Sequence, residues 1–472
     1  MMPAAHASGR RPPSRITQDE LNALAAAMGG ARRIADIYPM TPLQQGLLYQ
    51  SELAGDRPVY VVTLSCRLLA PLDAALFAAA WQAVVQRHTI LRTAFAGLDL
   101  PQPVQIVMKE APLPFTQLDW RDRPAAEIEA ALAALRDDDR AQPFDHARPP
   151  LMRVTLVRLG EADYHLLWSF HHLLLDGWSL PLLVGEVFTI YAARQQGEEP
   201  ALPPSPPFKD YVAWLRRQEP GAAETFWRAR LQGIEQPTLL VSDPGRPLPE
   251  PRAPILRQAL GIDLAALEKF ARSRRLTLAN LVSAAWGLLL ARYTRSTDVI
   301  FGTVVAGRPA DMPGANTRIG LFISTLPLRL AVSPAMRIDD YLAQVQQRQN
   351  ELLQHETTPP QMAEQVSPLG AGRPLFDTTI LFENYPIEAV KSVGMVRLDA
   401  VEVVESPHYP LNLQFSVQGD SLHLAIAYDR HGIPDELAAR VGHDLSGMLQ
   451  QIMAGAARVG EAKVFILAID DP

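Results

Sequence analysis

The run Trp168-Ser-Phe-His171-His172-Leu-Leu-Leu-Asp176-Gly177-Trp178-Ser179 sets two imidazoles, a carboxylate and a glycine at the end of an apolar stretch. An imidazole, with an ordinary pKa of about 6.5, can give or take a proton at neutral pH. A glycine lets another backbone come close, and its N–H can serve a developing oxyanion. The apolar run predicts a strand, and side chains alternate along a strand. His171 and His172 are therefore expected on opposite faces, doing opposite jobs. One metal ion is not easily gripped from opposite faces, and no Glu or Cys supplies a third ligand at helical spacing. No metal site is expected. Both histidines could simply be satisfied core residues, but four such groups at a strand–loop boundary sit where reactive side chains concentrate.

The elements that must hold this run are legible around it. Strands are predicted over 151–159 and 164–172, and a helix from Ser179. Thr17-Gln-Asp-Glu20 and Thr41-Pro-Leu-Gln44 read as capping boxes that open two helices. Another helix is predicted between Asp73 and His88, and further helices around 211–218 and 222–231. Two proline-dense stretches, 200–207 and 243–254, exclude regular helix and central strand. The second half predicts a strand at 255–262, helices at 264–272 and 276–293, and a strand at 298–305. Strands near 319–330 and 377–382, a hairpin of 411–417 with 422–428, and a closing helix from Leu437 to Ile452 follow. The expected organisation is an arm and short helix over 1–33, a first lobe over 34–215, a proline-rich linker over 216–254 and a second lobe over 255–472. The fold class is mixed α/β.

Composition narrows the function. The 472 residues carry 44 basic and 51 acidic side chains, a net charge of −7, so the broad basic field that nucleic acids need is missing. Apolar residues make up 48% of the chain, the share of a packed globular protein. Cys66 is the only cysteine, which excludes an internal disulfide and a cysteine-built metal cluster. The longest charge-free helical run, Leu276 to Ala291, is too short for a bilayer, which needs about 20 apolar residues. Arg10-Arg11 is followed by prolines and Ser14, not by an apolar export segment. A cytoplasmic, monomeric protein without membrane or nucleic-acid partners is expected.

The segment His171-His172-Leu-Leu-Leu-Asp176-Gly177 resembles the HHxxxDG signature of nonribosomal peptide synthetase condensation domains, which belong to the chloramphenicol acetyltransferase-like superfamily. Other segments match the same family in order. Tyr38-Pro-Met-Thr-Pro-Leu-Gln-Gln-Gly-Leu-Leu48 resembles its opening motif, and Arg87-His-Thr-Ile-Leu-Arg-Thr-Ala-Phe95 its RHxxLRTxF pattern. Phe208-Lys-Asp-Tyr-Val-Ala-Trp214 is similar to YxDFAVW, and Ile319-Gly-Leu-Phe-Ile-Ser-Thr-Leu-Pro-Leu-Arg329 to VGxFVNTxxxR. There are departures. Gln354-His-Glu-Thr-Thr-Pro-Pro360 stands where many members have HQDxPFE, and Ser324 replaces the usual Asn. The segment Leu375 to Pro386, with His408-Tyr-Pro410, is closer to groups taking D-configured, dual or acyl donors. No EGHGR-like acidic motif is present, which argues against racemising chemistry.

The resemblance implies two acetyltransferase-like lobes forming a V around a central tunnel. Donor and acceptor carrier proteins would dock at opposite mouths and present substrates on 4'-phosphopantetheine, beside an adjacent adenylation domain. No cofactor is bound covalently, and a CoA thioester is an alternative donor. The reaction is aminolysis of the donor thioester by an aminoacyl amine. By resemblance His172 is central, as base or as a group that holds the amine, and the two roles stay open. Gly177 is a candidate oxyanion donor. Asp176 is a base or, preferably, a buried structural anion paired with Arg329 first and Arg92 second. Ser324 is a candidate partner of the incoming amine, and His171 a folding residue. Arg87, Arg92 and Trp214 are read as motif support, with Trp214 a packing anchor. Met1, close ahead of the opening motif, suggests a starter domain that acylates a first amino acid from a donor supplied in trans. The alternatives are a freestanding CoA-dependent N-acyltransferase of this fold and a noncatalytic recruitment platform.

Overall fold

The computed structural model describes residues 16–241, 254–370, 372–383, 392–393, 396–405, 409–455 and 457–462. The second proline-dense stretch lies almost wholly outside them, as do residues 384–386 and His408 of the late motif.

Local signals fold as their chemistry dictates. Thr41 caps the helix Pro42–Ala54: its hydroxyl accepts the Gln44 N–H, and Gln44 Oε1 accepts the Thr41 N–H. Gln44 does more than cap. Its Nε2 donates to the carbonyl of Leu173 at 3.2 Å, tying this helix to the loop after the double histidine. Asp73 caps Ala74–Arg87 through the Ala75 and Leu76 N–H groups. The charge-free run forms the helix Leu278–Tyr293, buried along most of its length. Its apolar character serves a protein core. Among the described residues no single helix is long and apolar enough to cross a membrane.

Among the described residues, two six-stranded mixed sheets carry the molecule, one of them edged by Ser392–Val393 and Val396–Glu405, with a smaller three-stranded sheet of Ile34–Pro39, Val104–Met108 and Thr93–Ala96. In the first large sheet, Val61–Leu69 pairs antiparallel with Tyr164–His171, followed by Met152–Arg158 and then Phe115–Asp119. The second runs Ser324–Ala331, Asp298–Val305, Thr378–Glu383, Leu411–Gln418, Ser421–Tyr428, Ile255–Ala259. Each sheet has its own large apolar core. Phe208, Tyr211 and Val212 pack into the first core, whereas Trp227 and Leu231 pack into the second. The helix Pro220–Leu231, expected in a linker, is thus part of the second core's packing.

The division at residue 254 is not clean. The strand Val396–Glu405 leaves the second half and pairs antiparallel with Val61–Leu69, and Leu398 packs into the first core. Residues 312–322 also lend the first core Met312, Ile319, Leu321 and Phe322. The strand expected near 319–330 begins at Ser324, because the residues before it turn toward the first lobe instead.

Candidate active site

The histidine strand Tyr164–His171 runs into the loop that carries His172 and Asp176. His172 donates its backbone N–H to the carbonyl of Tyr60 at 2.9 Å, continuing the ladder one residue past the strand. Alternation then separates the two imidazoles. His171 faces the helix Pro42–Ala54: its Nε2 is 3.3 Å from the Ser51 hydroxyl, and its ring packs against those of Tyr60, Phe144 and His146. His172 faces the space between the two large sheets.

That space is a cavity of about 1290 Å³, counting its open end, walled by Val62, Leu64 and Phe170 on one side and by Thr379, Leu381, Asn412 and Gln414 on the other. A second, more open cavity of about 2320 Å³ meets it at His172 and is lined by Tyr49, Ser324, Gln361 and Tyr409. His172 is buried and lines both. Its Nδ1 lies 2.6 Å from the carbonyl of Leu175, which can only accept, so Nδ1 carries hydrogen. Its Nε2 lies 3.0 Å from a carboxylate oxygen of Glu405 at the end of the crossing strand. Burial pushes the imidazole down, but the charge and hydrogen bond of Glu405, with the Leu175 carbonyl and Asp176, outweigh it and bring the group up to about 8.

Asp176 does not meet Arg329 or Arg92. Arg308 reaches it with Nη2 at 2.9 and 3.0 Å from the two carboxylate oxygens, both side chains fully enclosed. The carboxylate also accepts from the Ser179 N–H and hydroxyl and from the Phe322 N–H. Arg308 Nη1 donates to the carbonyls of Ala315 and Arg318. Gly307 makes this turn possible: its φ is +61°, and a side chain there would meet the Phe322 carbonyl at 1.8 Å. Arg329 instead holds Asp298 with two nitrogens and donates to the carbonyls of Arg230 and Gln232. Arg92 donates to the carbonyls of Gln86 and Met108. Both expected pairings fail because each arginine is consumed within its own half of the molecule.

The remaining residues divide by position. Gly177 lines the first cavity and Ser324 the second, where the Ser324 hydroxyl donates to the Thr358 carbonyl at 3.4 Å. Arg87 pairs with Glu186 at 3.1 Å and donates to the Pro203 carbonyl. Trp214 stacks on Tyr211 at 6.3 Å between centroids. Sequence reasoning missed Arg308 and Glu405. A glycine–arginine turn after a strand was the available signal for the first, and a carboxylate closing an apolar alternation, Val401, Val403, Glu405, for the second. Among the described residues no group of three or more His, Cys, Asp or Glu side chains could hold a metal ion.

The site is thus a buried histidine at the junction of two inter-sheet cavities, on a loop whose carboxylate is locked to an arginine. The Condensation domain family model matches residues 34–463, and the chain belongs to that family, whose members are acyltransferase-type enzymes that form amide bonds. A linear gramicidin synthase protein of Brevibacillus parabrevis is 40% identical over 93% of this chain, and chondramide synthase of Chondromyces crocatus 34% identical over 97%. The chain spans only 8% and 13% of those two proteins. Among solved structures, the starter condensation domain of rhizomide synthetase, a mutant in complex with C8-CoA and Leu-SNAC, superposes with a TM-score of 0.78. It is 21% identical, covering 90% of this chain and 96% of that one, and shows the fold. The teicoplanin X-domain, in its complex with OxyB, superposes at 0.75 with 25% identity, covering 99% of this chain and all of the other.

Proposed function

We propose that this domain condenses a thioester-bound donor with the amine of an aminoacyl acceptor carried by a downstream carrier protein. The observation that carries the reading is His172 at the meeting point of two cavities, which we assign one to each substrate. A thiolate leaves readily, and an α-amine with a pKa of about 7.7–8 is already partly neutral near pH 7. Holding the two tethered reactants together supplies much of the acceleration. His172 takes or holds the amine's proton, the Gly177 N–H serves the developing oxyanion, and Ser324 meets the amine from the second cavity. Asp176 with Arg308 keeps the loop in place.

The donor is an aminoacyl or peptidyl thioester on a phosphopantetheine arm. A starter domain taking a plain acyl chain would favour an apolar donor pocket with few charges. The walls of the first cavity are mostly apolar but also carry Glu383, Glu405, Asn412 and Gln414, which supports a donor with polar backbone groups. A CoA-borne acyl donor, like that named for the rhizomide neighbour, is the second reading, and the apolar share of the same wall favours it. The test is an in vitro assay with aminoacyl-loaded downstream carrier and a panel of peptidyl-carrier and acyl-CoA donors. Amide product from peptidyl donors supports the reading, and product from acyl-CoA alone moves it to the starter class. No product from any donor would leave a recruitment platform.

A further inference from the structure

We propose that Glu405 is a positioning residue for His172: delivered by the crossing strand to 3.0 Å from Nε2, its carboxylate decides what that nitrogen offers the reacting amine. The inference rests on the condensation reading and deepens the same site.

The ring leaves little freedom. Nδ1 is committed to the Leu175 carbonyl, so only Nε2 can carry either a lone pair or a second proton. A carboxylate at hydrogen-bond distance favours the second proton and the imidazolium form. Glu405 reaches this position only because Val396–Glu405 adds itself to the first sheet, with Glu405 opposite Val62 and Val62 opposite Phe170 of the histidine strand. Among the described residues, further charges near the pair come from several elements. Asp176, on the histidine loop, is bound to Arg308. Glu383, on the facing sheet, accepts from Gln414, and burial brings it up to about 6. Arg257, on the strand Ile255–Ala259, is paired with Glu402 at 3.2 Å.

The chemistry follows from proton bookkeeping. As the amide forms, a C–N bond is made, the C–S bond breaks, and one proton leaves the amine nitrogen and ends on the thiolate sulfur. A His172 held as imidazolium by Glu405 presents an N–H at Nε2. It becomes a proton acceptor only after losing that proton, so Glu405 sets the pH at which the role changes. With burial opposed by Glu405, that change falls at about 8 instead of about 6.5.

The experiment is an NMR titration of the His172 imidazole in the intact domain, beside the pH profile of condensation with carrier-loaded substrates. Glu405→Gln should lower the imidazole inflection by about one pH unit or more, and the rate inflection should move with it. KM for the aminoacyl carrier should stay within about twofold while kcat at neutral pH changes. Glu405→Asp, which keeps the charge, should restore most of the raised inflection. A folded Glu405→Gln domain whose imidazole titrates as in wild type overturns the proposal. Because the titration needs no turnover, a moved inflection in a domain that condenses nothing would overturn the condensation reading while leaving the Glu405–His172 coupling in place.

Discussion

At the scale of single residues, the face assignment makes the sharpest claim. His172→Ala should slow amide formation by about 10²–10³-fold, the range for losing a positioned acid–base group. His171→Ala should lower the melting temperature with much less effect on the rate, since its ring packs beneath the cavity wall against Tyr60 and His146. Equal losses of rate in two fully soluble variants would contradict this. The His172–Glu405 pair also ties stability to pH. The folded chain holds the imidazole proton more tightly than the unfolded chain, at about 8 instead of about 6.5. That contribution, at most about 2 kcal/mol, is fully present below pH 6.5 and lost as the pH rises through 8. Thermal melts across this window should show a fall in wild type that is flattened in Glu405→Gln.

At the scale of elements, the histidine loop and the crossing strand are each held by something distant in sequence. Asp176→Asn should cost about 3–5 kcal/mol, because it leaves Arg308 charged and uncompensated in a dry interior. Denaturant unfolding measures this, and a variant that unfolds like wild type yet condenses nothing would make Asp176 catalytic after all. In the crossing strand, Leu398 is buried in the first core. Leu398→Ala should cost about 2–4 kcal/mol and speed hydrogen exchange of the amides over 396–405. Because Glu405 rides on that strand, the imidazole inflection of His172 should fall in the same variant. Unchanged exchange there would mean that the strand is held by its ladder alone.

Across the whole molecule, the two large cores are joined by the crossing strand, by residues 312–322 and by polar ties around the histidine loop. Arg308 is a fully buried one, linking Asp176 of the first half to the Ala315 and Arg318 carbonyls of the second. The Asp176 N–H and the Ser179 hydroxyl also donate to the Gly320 carbonyl. Arg308→Met should uncouple the lobes, turning a single calorimetric unfolding transition into two. One unchanged transition would show that residues 312–322 and the crossing strand couple the lobes by themselves. Arg308 holds the loop that carries His172, so on the proposed mechanism the variant should also lose condensation rate through misplacement of His172.

The sequence by itself determined much of this. Two capping boxes, the helix capped by Asp73, the strand at 298–305 and the hairpin of 411–428 all follow from local periodicity and turn chemistry, which act over a few residues. Alternation sent His172 one way and His171 the other, and the motif order pointed to the family to which the chain belongs. The partners of the reactive groups were beyond its reach. Arg308 stands 132 positions from Asp176, and Glu405 lies in the strand Val396–Glu405, which the sequence reading left unassigned within the second lobe. Periodicity specifies which side of a strand is buried but not which strand lies beside it. Only the tertiary structure, by inserting residues 396–405 into the first sheet, could place a carboxylate on the histidine and give the freed arginines other work.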